Sequence, residues 1–325
     1  MMTEENQWYD EVLEPFVDVS KTGKERDWKG RRLLSLALYN RLDKLGYLCA
    51  KYVKQCADIM EFVEDSEGYR RLKRTWFCKN KLCAMCNWRR SLKYSYQAGK
   101  VVDRAIEKYP KARFLFLTLT VKNVPASELN GAVSEMAKSF HRLFRYKKVD
   151  KNILGFLRAT EVTRNKKTGE YHPHLHVLLM VKPTYFKNKE NYITQKEWSE
   201  LWQKASKVDY VPVVNIKAVK PDEDKGLVGA IKETAKYPVK PFDLEGASKE
   251  MDEEEKTQVT GELYEGLYRK RQISFGKLFK ELKKELELDD VEEGDLVNVD
   301  GNEGVSEGKL LIVRWDYLRE NYYIG

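Results

Sequence analysis

Three of the four histidines in the chain stand at alternate positions, His172, His174 and His176, within YHPHLHVLLMV. Alternate side chains of a strand share a face, so the three imidazoles point the same way. Neighbouring imidazoles hold a divalent ion with open coordination positions, whereas packing alone rarely places three histidines on one strand face. Two imidazoles are too few for a tight site. Glu161, in the preceding run FLRATEVTRN, supplies a third ligand if Lys166 to Gly169 form a four-residue turn in which Asn165 pairs with Glu170. Glu161 then stands opposite His174; a turn one residue longer or shorter sends it to the other face and leaves a surface glutamate. Two imidazoles and a carboxylate suit Mg or Mn bound to a phosphate better than closed structural zinc, with His172 as an additional ligand or a hydrogen-bonding support.

A second set lies in GAIKETAKYPVK, residues 229–240. On a helix Glu233 and Tyr237 are four apart and share a face, and Lys240 follows the break that Pro238 imposes. A tyrosine with a carboxylate and an ammonium in reach is a candidate nucleophile for a phosphodiester. Its phenol, with a pKa near ~10, needs a cation to stabilise the developing charge. Pro238 also draws Tyr237 toward the helix end, which loosens the geometry with Glu233. One tyrosine among 19 says little by itself, so the combination with the histidines carries the argument.

The third set is Cys78, Cys83 and Cys86. Five cysteines with this clustering suit a reduced compartment and a tetrahedral zinc site with a fourth ligand; the plainer alternative is a group of buried thiols. In the following WRRSLKY, Arg89, Arg90 and Lys93 alternate with aromatics. They suit phosphates and unstacked bases, or the solvated face of an ordinary helix. His141 reads as surface.

The elements that must hold these residues follow from periodicity. Residues 1 to about 30 lack a sustained period, and from Arg31 (RRLLSLALYN through EFV) apolar residues recur at helical spacing with basic residues between them. A helix follows the cysteines up to Pro110. Phe114 to Val121 reads as a central strand, Ser127 to Phe144 as an amphipathic helix, and Ile153 to Thr163 with His172 to Val181 as an antiparallel pair. Helices are expected at Gln195 to Lys207, Leu227 to Tyr237 and Phe275 to Leu286. Tyr210 to Val219 reads as β-rich, the Gly- and acid-rich segment from Leu288 to Gly308 as loop, and KLLIVRWDYL as a terminal strand. These give an α+β chain in three parts: a helical, zinc-stabilised, DNA-binding region at 1–109, a catalytic core at 110–245 and a region at 246–325 that completes the core or contacts partners.

Composition sets outer bounds. An apolar share of 42% supplies a core without disulfide staples, and 59 Lys plus Arg against 51 Asp plus Glu leave a moderate excess of +8 that favours a polyanionic partner. No run of about 18 apolar residues occurs and the first residues are acidic, so the expectation is a cytoplasmic protein with no membrane partner.

FLTLTVKNV (116–124), HPHLHVLL (172–179) and KETAKYPVK (232–240), in this order, resemble the three motifs of rolling-circle replication initiators of small Gram-positive plasmids. These belong to the nicking enzymes named for the histidine, hydrophobic residue, histidine (HUH) signature. The similar stretches span about residues 50–280, because CKNKLCAMCNWRRSLKY is similar to a cysteine-rich block upstream of the first motif in these initiators. The resemblance implies an antiparallel-sheet nuclease core in which His174, His176 and Glu161 hold Mg or Mn. It also implies a structural zinc on Cys78, Cys83, Cys86 and Cys56, with Cys49 as the second choice for the fourth ligand. Tyr237 matches the nucleophile of the single-tyrosine branch, and Glu233 the glutamate four residues before it. The implied reaction nicks the double-strand origin, leaves a 5′-phosphotyrosine and a free 3′-OH primer, and ends by glutamate-assisted hydrolysis. Expected partners are double- and single-stranded plasmid origin DNA with a host helicase and polymerase; a homodimer is compatible with the sequence. An HUH relaxase or transposase would use the same residues, and a non-catalytic zinc-containing DNA-binding repressor would form no covalent adduct.

Overall fold

The computed structural model describes residues 14–219, 227–234, 251–301 and 308–325. Nine helices among them, α1 to α9, are Trp28–Lys44, Ala50–Lys54, Ala84–Lys108, Ala126–Leu143, Lys147–Asp150, Gln195–Ser206, Leu227–Thr234, Glu253–Gly266 and Leu278–Glu285. The strands, β1 to β9, are Ile59–Glu64, Arg70–Thr75, Arg113–Thr120, Ile153–Arg164, Tyr171–Val181, Val214–Val219, Ile273–Lys277, Lys309–Asp316 and Asn321–Ile324. They form two sheets whose described pairings are all antiparallel, one ordered β6-β3-β5-β4-β7 and the other β2-β1-β8-β9.

The five-stranded sheet is covered on both faces, which explains why β5 is apolar without alternation from Val177 to Val181. On one face Leu117, Leu175, Val177 and Leu179 pack against Phe140 of α4 and the fully buried Trp198 and Trp202 of α6. Burying each such side chain contributes roughly 1.5–3 kcal/mol. α6 is set by a reciprocal cap, in which Thr194 accepts from Glu197 N while the Glu197 carboxylate accepts from Thr194 N. Trp202 Nε1 donates to Thr120 O at 2.8 Å and fixes that helix to the end of β3. On the other face Leu157, Leu178 and Met180 meet Val101 and Val102 of α3, Ala230 and Ile231 of α7, and Phe279 of α9. His172, His174 and His176 of the central strand share the parity of Leu178 and Met180 and lie on this second face.

The N-terminal region is not wholly helical. The helical period from Arg31 stops at Gly46, whose φ of +76° lets Tyr47 N bond back to Leu42 O and close α1. Ile59–Glu64 then follows a period of two, burying Met60 and Phe62, and forms a hairpin with β2. The stretch expected as a helix from Phe275 begins as β7, and α9 starts only after Lys277 turns the backbone at φ +52°. Gly276 in that strand faces Phe156 across the ladder, where a Cβ would lie 1.9 Å from the ring, so no larger residue fits. The acidic stretch near Glu253 is helix α8. Asp252 caps it by accepting from Glu254 N and Glu255 N, and the acids of its first turn complement the helix dipole. The last third is shared between the sheets, since β7 borders β4 while β8 and β9 extend β1.

Candidate metal and nucleophile site

The hairpin between β4 and β5 sets the geometry. Asn165 N bonds Glu170 O at 2.8 Å, the Asn165 side chain accepts from Lys167 N, and Gly169 supplies φ +74°, as a tight turn of this kind requires. The register that results pairs Glu161 with His174, Ala159 with His176 and Thr163 with His172. Glu161 Oε2 lies 3.2 Å from His174 Nε2 and 2.8 Å from His176 Nε2. Glu161 and His174 are buried, and His176 nearly so. Burial by itself would raise the Glu161 carboxyl, but the two imidazoles outweigh it and hold the group well below the usual carboxylate range.

Each imidazole is oriented from behind. His174 Nδ1 donates to the carbonyl of His172 at 3.2 Å, which aims Nε2 at Glu161. His176 Nδ1 lies 3.3 Å from Thr118 Oγ1, and its ring stacks on Phe116. The ring of His172 is held elsewhere, 2.9 Å from Asn123 Oδ1, and burial together with His174 lowers its pKa. The donor atoms that converge are those of Glu161, His174 and His176, all within 4.8 Å of one another; His172 joins through its carbonyl. Two imidazoles and a carboxylate fit a divalent ion that keeps open coordination positions. Thr118 and Asn123 were not singled out from sequence, although both fall within FLTLTVKNV.

Glu233 lies on α7, two residues after Ile231, whose side chain packs in the cluster beneath the histidine face. Tyr237 and Lys240 fall outside the described residues.

The cysteines form a second centre. Sγ of Cys86 lies 3.5 Å from Cys56 and 3.6 Å from Cys78, and Cys83 lies 3.7 Å from Cys56. A tetrahedron of Zn–S bonds of ~2.3 Å places sulfurs ~3.8 Å apart, so the group fits zinc. Cys78 N and Lys79 N donate to the Cys56 and Cys86 sulfurs. Burial pushes the Cys56 and Cys78 thiols up. It opposes ionisation of Cys83 as well, but hydrogen bonds from the other three and from Ser35 hold Cys83 well below the usual thiol range. Cys49 is not in this group; its sulfur lies 3.8 Å from Asn80 Nδ2.

Arg89, Arg90 and Lys93, expected to meet phosphates, are instead buried. Arg89 donates to Leu296 O and Val297 O, Arg90 to Asn80 O and Lys79 O, and Lys93 to Asp289 and Asp295 O. The reading of these three as DNA contacts is corrected for a plain reason. The loop at 288–301 takes the donors of Arg89 and Lys93 with its carbonyls and a carboxylate, and the carbonyls of the cysteine loop take those of Arg90.

Among the described residues no helix is long and apolar enough to cross a membrane. A family model described as "Replication protein" matches residues 69–323. The chain is 51% identical to "Protein rep" of Streptococcus pneumoniae serotype 2 (strain D39 / NCTC 7466), over 98% of this chain and 97% of that one. It is 47% identical to "Protein rep" of Lentilactobacillus hilgardii, over 94% and 98%. It is 48% identical to a "Replication protein" of Staphylococcus aureus, over 72% and 99%. No solved structure matches the chain.

Proposed function

Because this chain belongs to the replication-protein family of plasmid initiators, we propose that it starts rolling-circle replication by nicking one strand of a plasmid's double-strand origin with Tyr237. The observation that carries this reading is the convergence of His174, His176 and Glu161 on one point, on the sheet face against which the Glu233 helix packs. A structural repressor has no use for such a set, buried and oriented from behind.

In this mechanism His174, His176 and Glu161 would hold Mg or Mn, which when bound supplies charge for the scissile phosphate. Thr118 and the His172 carbonyl keep the two imidazoles aimed. The Tyr237 oxygen attacks the phosphorus, the bond to the 3′ oxygen breaks, and the phenolic proton ends on that oxygen. The products are a 5′-phosphotyrosine and a free 3′-OH from which a host polymerase extends while a helicase unwinds. The phosphodiester energy is kept in the protein–DNA bond. Lys240 neutralises charge on the attacked phosphate. At the end of a round Glu233 takes a proton from a water whose oxygen bonds to the phosphorus of the regenerated junction, the bond to the 3′ oxygen breaks, and that oxygen takes up the proton. Cys56, Cys78, Cys83 and Cys86 would hold a structural zinc in a region that grips origin DNA. Work of this kind is cytoplasmic.

The deciding experiment incubates the protein and Tyr237→Phe with single-stranded origin DNA and Mn, followed by denaturing electrophoresis. The wild-type chain forms a denaturation-resistant adduct that peptide mapping assigns to Tyr237, and the variant folds but forms none. An adduct on Tyr185 or Tyr210, or no adduct at all, rejects the proposal.

A further inference from the structure

Beside the cysteine cluster lies a cleft of about 300 Å³ that the nicking chemistry does not use. Its walls come from three places: Cys49 and Tyr52 around α2, the loop from Cys78 to Leu82, and Tyr264, Tyr268 and Arg269 at the end of α8. Tyr52 and Tyr268 are 47% and 49% exposed at the mouth of the cleft, each keeping an open ring edge beside one tilted neighbour, Trp76 at 6.1 Å and Tyr264 at 6.4 Å. Each has a cation on its ring, Lys51 Nζ at 5.1 Å from Tyr52 and the Arg269 guanidinium at 5.2 Å from Tyr268. Lys79 and Lys81 add positive charge to the rim, against Glu293 as the acidic lining residue.

The backbone gives independent support. Lys79 and Arg269 both hold a left-handed conformation, at φ +56° and +54°. A non-glycine residue pays on the order of 1–3 kcal/mol for such a conformation, so it persists where the surroundings enforce it, and such strain gathers at binding sites. The frame that enforces it is visible. Lys79 Nζ donates to Glu293 O and Lys81 Nζ to Lys270 O, tying the cysteine loop to the chain that follows α8.

Position links the cleft to the metal site. Three residues beyond Arg269, the Gln272 carbonyl accepts from Thr160 N at 2.8 Å, and Thr160 adjoins Glu161. With at most ~3.6 Å per residue and ~5 Å between strands, the backbone of Arg269 at the cleft rim lies within roughly 20 Å of the backbone of Glu161, a span of a few nucleotides.

We propose that this cleft stacks an unpaired base of the nicked strand on Tyr52 and Tyr268, a few nucleotides from the cut, with Lys51 and Arg269 on the flanking phosphates. The inference rests on the reading of the chain as a strand-nicking initiator. Rings beside cations bind single strands with little sequence preference, because every base has a flat face.

The test compares two labelled probes, an oligothymidylate and an equally long abasic strand, by fluorescence anisotropy on the full chain without added divalent metal. Wild-type protein should favour the oligothymidylate. Tyr52→Ala and Tyr268→Ala should each weaken it by about 5- to 150-fold and leave abasic binding unchanged, while Arg269→Ala weakens both. Tyr268→Phe should behave as wild type. In wild-type protein, where folding is not in question, 4-thiothymidine in the strand should crosslink to peptides containing Tyr52 or Tyr268. Equal affinity for the two probes, or crosslinks confined to other peptides, overturns the proposal. That failure would leave the Tyr237 adduct intact, whereas loss of the initiator reading would show as a missing adduct.

Discussion

Glu161 and His174 stand directly across from one another in β4 and β5, and the carboxylate oxygen 3.2 Å from His174 Nε2 is also 2.8 Å from His176 Nε2. Both imidazoles therefore converge on one carboxylate oxygen. His174→Ala or His176→Ala should lower nicking by roughly 10²- to 10⁴-fold, the worth of several kcal/mol of charge stabilisation. Duplex binding in a filter assay should persist. Glu161→Ala should lose activity to a degree that depends on whether Mg or Mn is supplied. Normal nicking by either histidine variant in Mg or Mn would reject the metal site.

Zinc should be found by elemental analysis in protein purified without added metal. Cys56→Ser should lose it and melt at a lower temperature, because the remaining three thiols leave the tetrahedron open. Cys49→Ser should keep it. Zinc retained by the first variant and lost by the second would reverse the assignment.

For Glu233, the expected outcome separates the two ends of the reaction. Glu233→Ala should still form the Tyr237 adduct but terminate roughly 10²- to 10⁴-fold more slowly, the range for general-base help, and multimeric single strands should accumulate. Loss of the first nick, with normal release from a preformed adduct, would assign Glu233 to initiation instead.

Arg89 should matter for stability and not for phosphate contact. Hydrogen bonds to a charged group contribute about 1.5–3 kcal/mol, so Arg89→Ala should destabilise by that amount or more in urea unfolding. The salt dependence of DNA binding by the folded variant should match wild type. A shallower salt slope would restore Arg89 as a phosphate contact.

Much of the site was legible because it is local. One turn length decides whether Glu161 meets His174, and Asn165 and Gly169 announce that turn. The alternate spacing of the histidines likewise fixes a shared face. What the sequence hid depends on long-range packing. WRRSLKY reads as an exposed basic face, and only the packing of the loop at 288–301 and of the cysteine loop shows its cations to be buried. Met60 and Phe62 looked like a continuation of the helix from Arg31 because two apolar positions fit either period, and the strand is selected by pairing with β8. Thr118 was hidden for the same reason, since its hydroxyl acquires a role only when β3 is set beside β5.

The pairing of β1 with β8 bears on how the protein is made. A ribosome releases residues 59–64 long before it has synthesised residues 309–316, so β1 can find only β2 while the intervening chain emerges. Met60 and Phe62 stay incompletely covered through that interval, and Ala57, next to a cysteine of the cluster, waits for the Tyr322 hydroxyl that bonds its carbonyl at 2.6 Å. Contacts of such sequence separation form slowly because the loop between them must close first. The half-made protein thus carries the sheet beside its cysteine cluster unfinished, and a newly translated copy completes it only once β8 and β9 are in place.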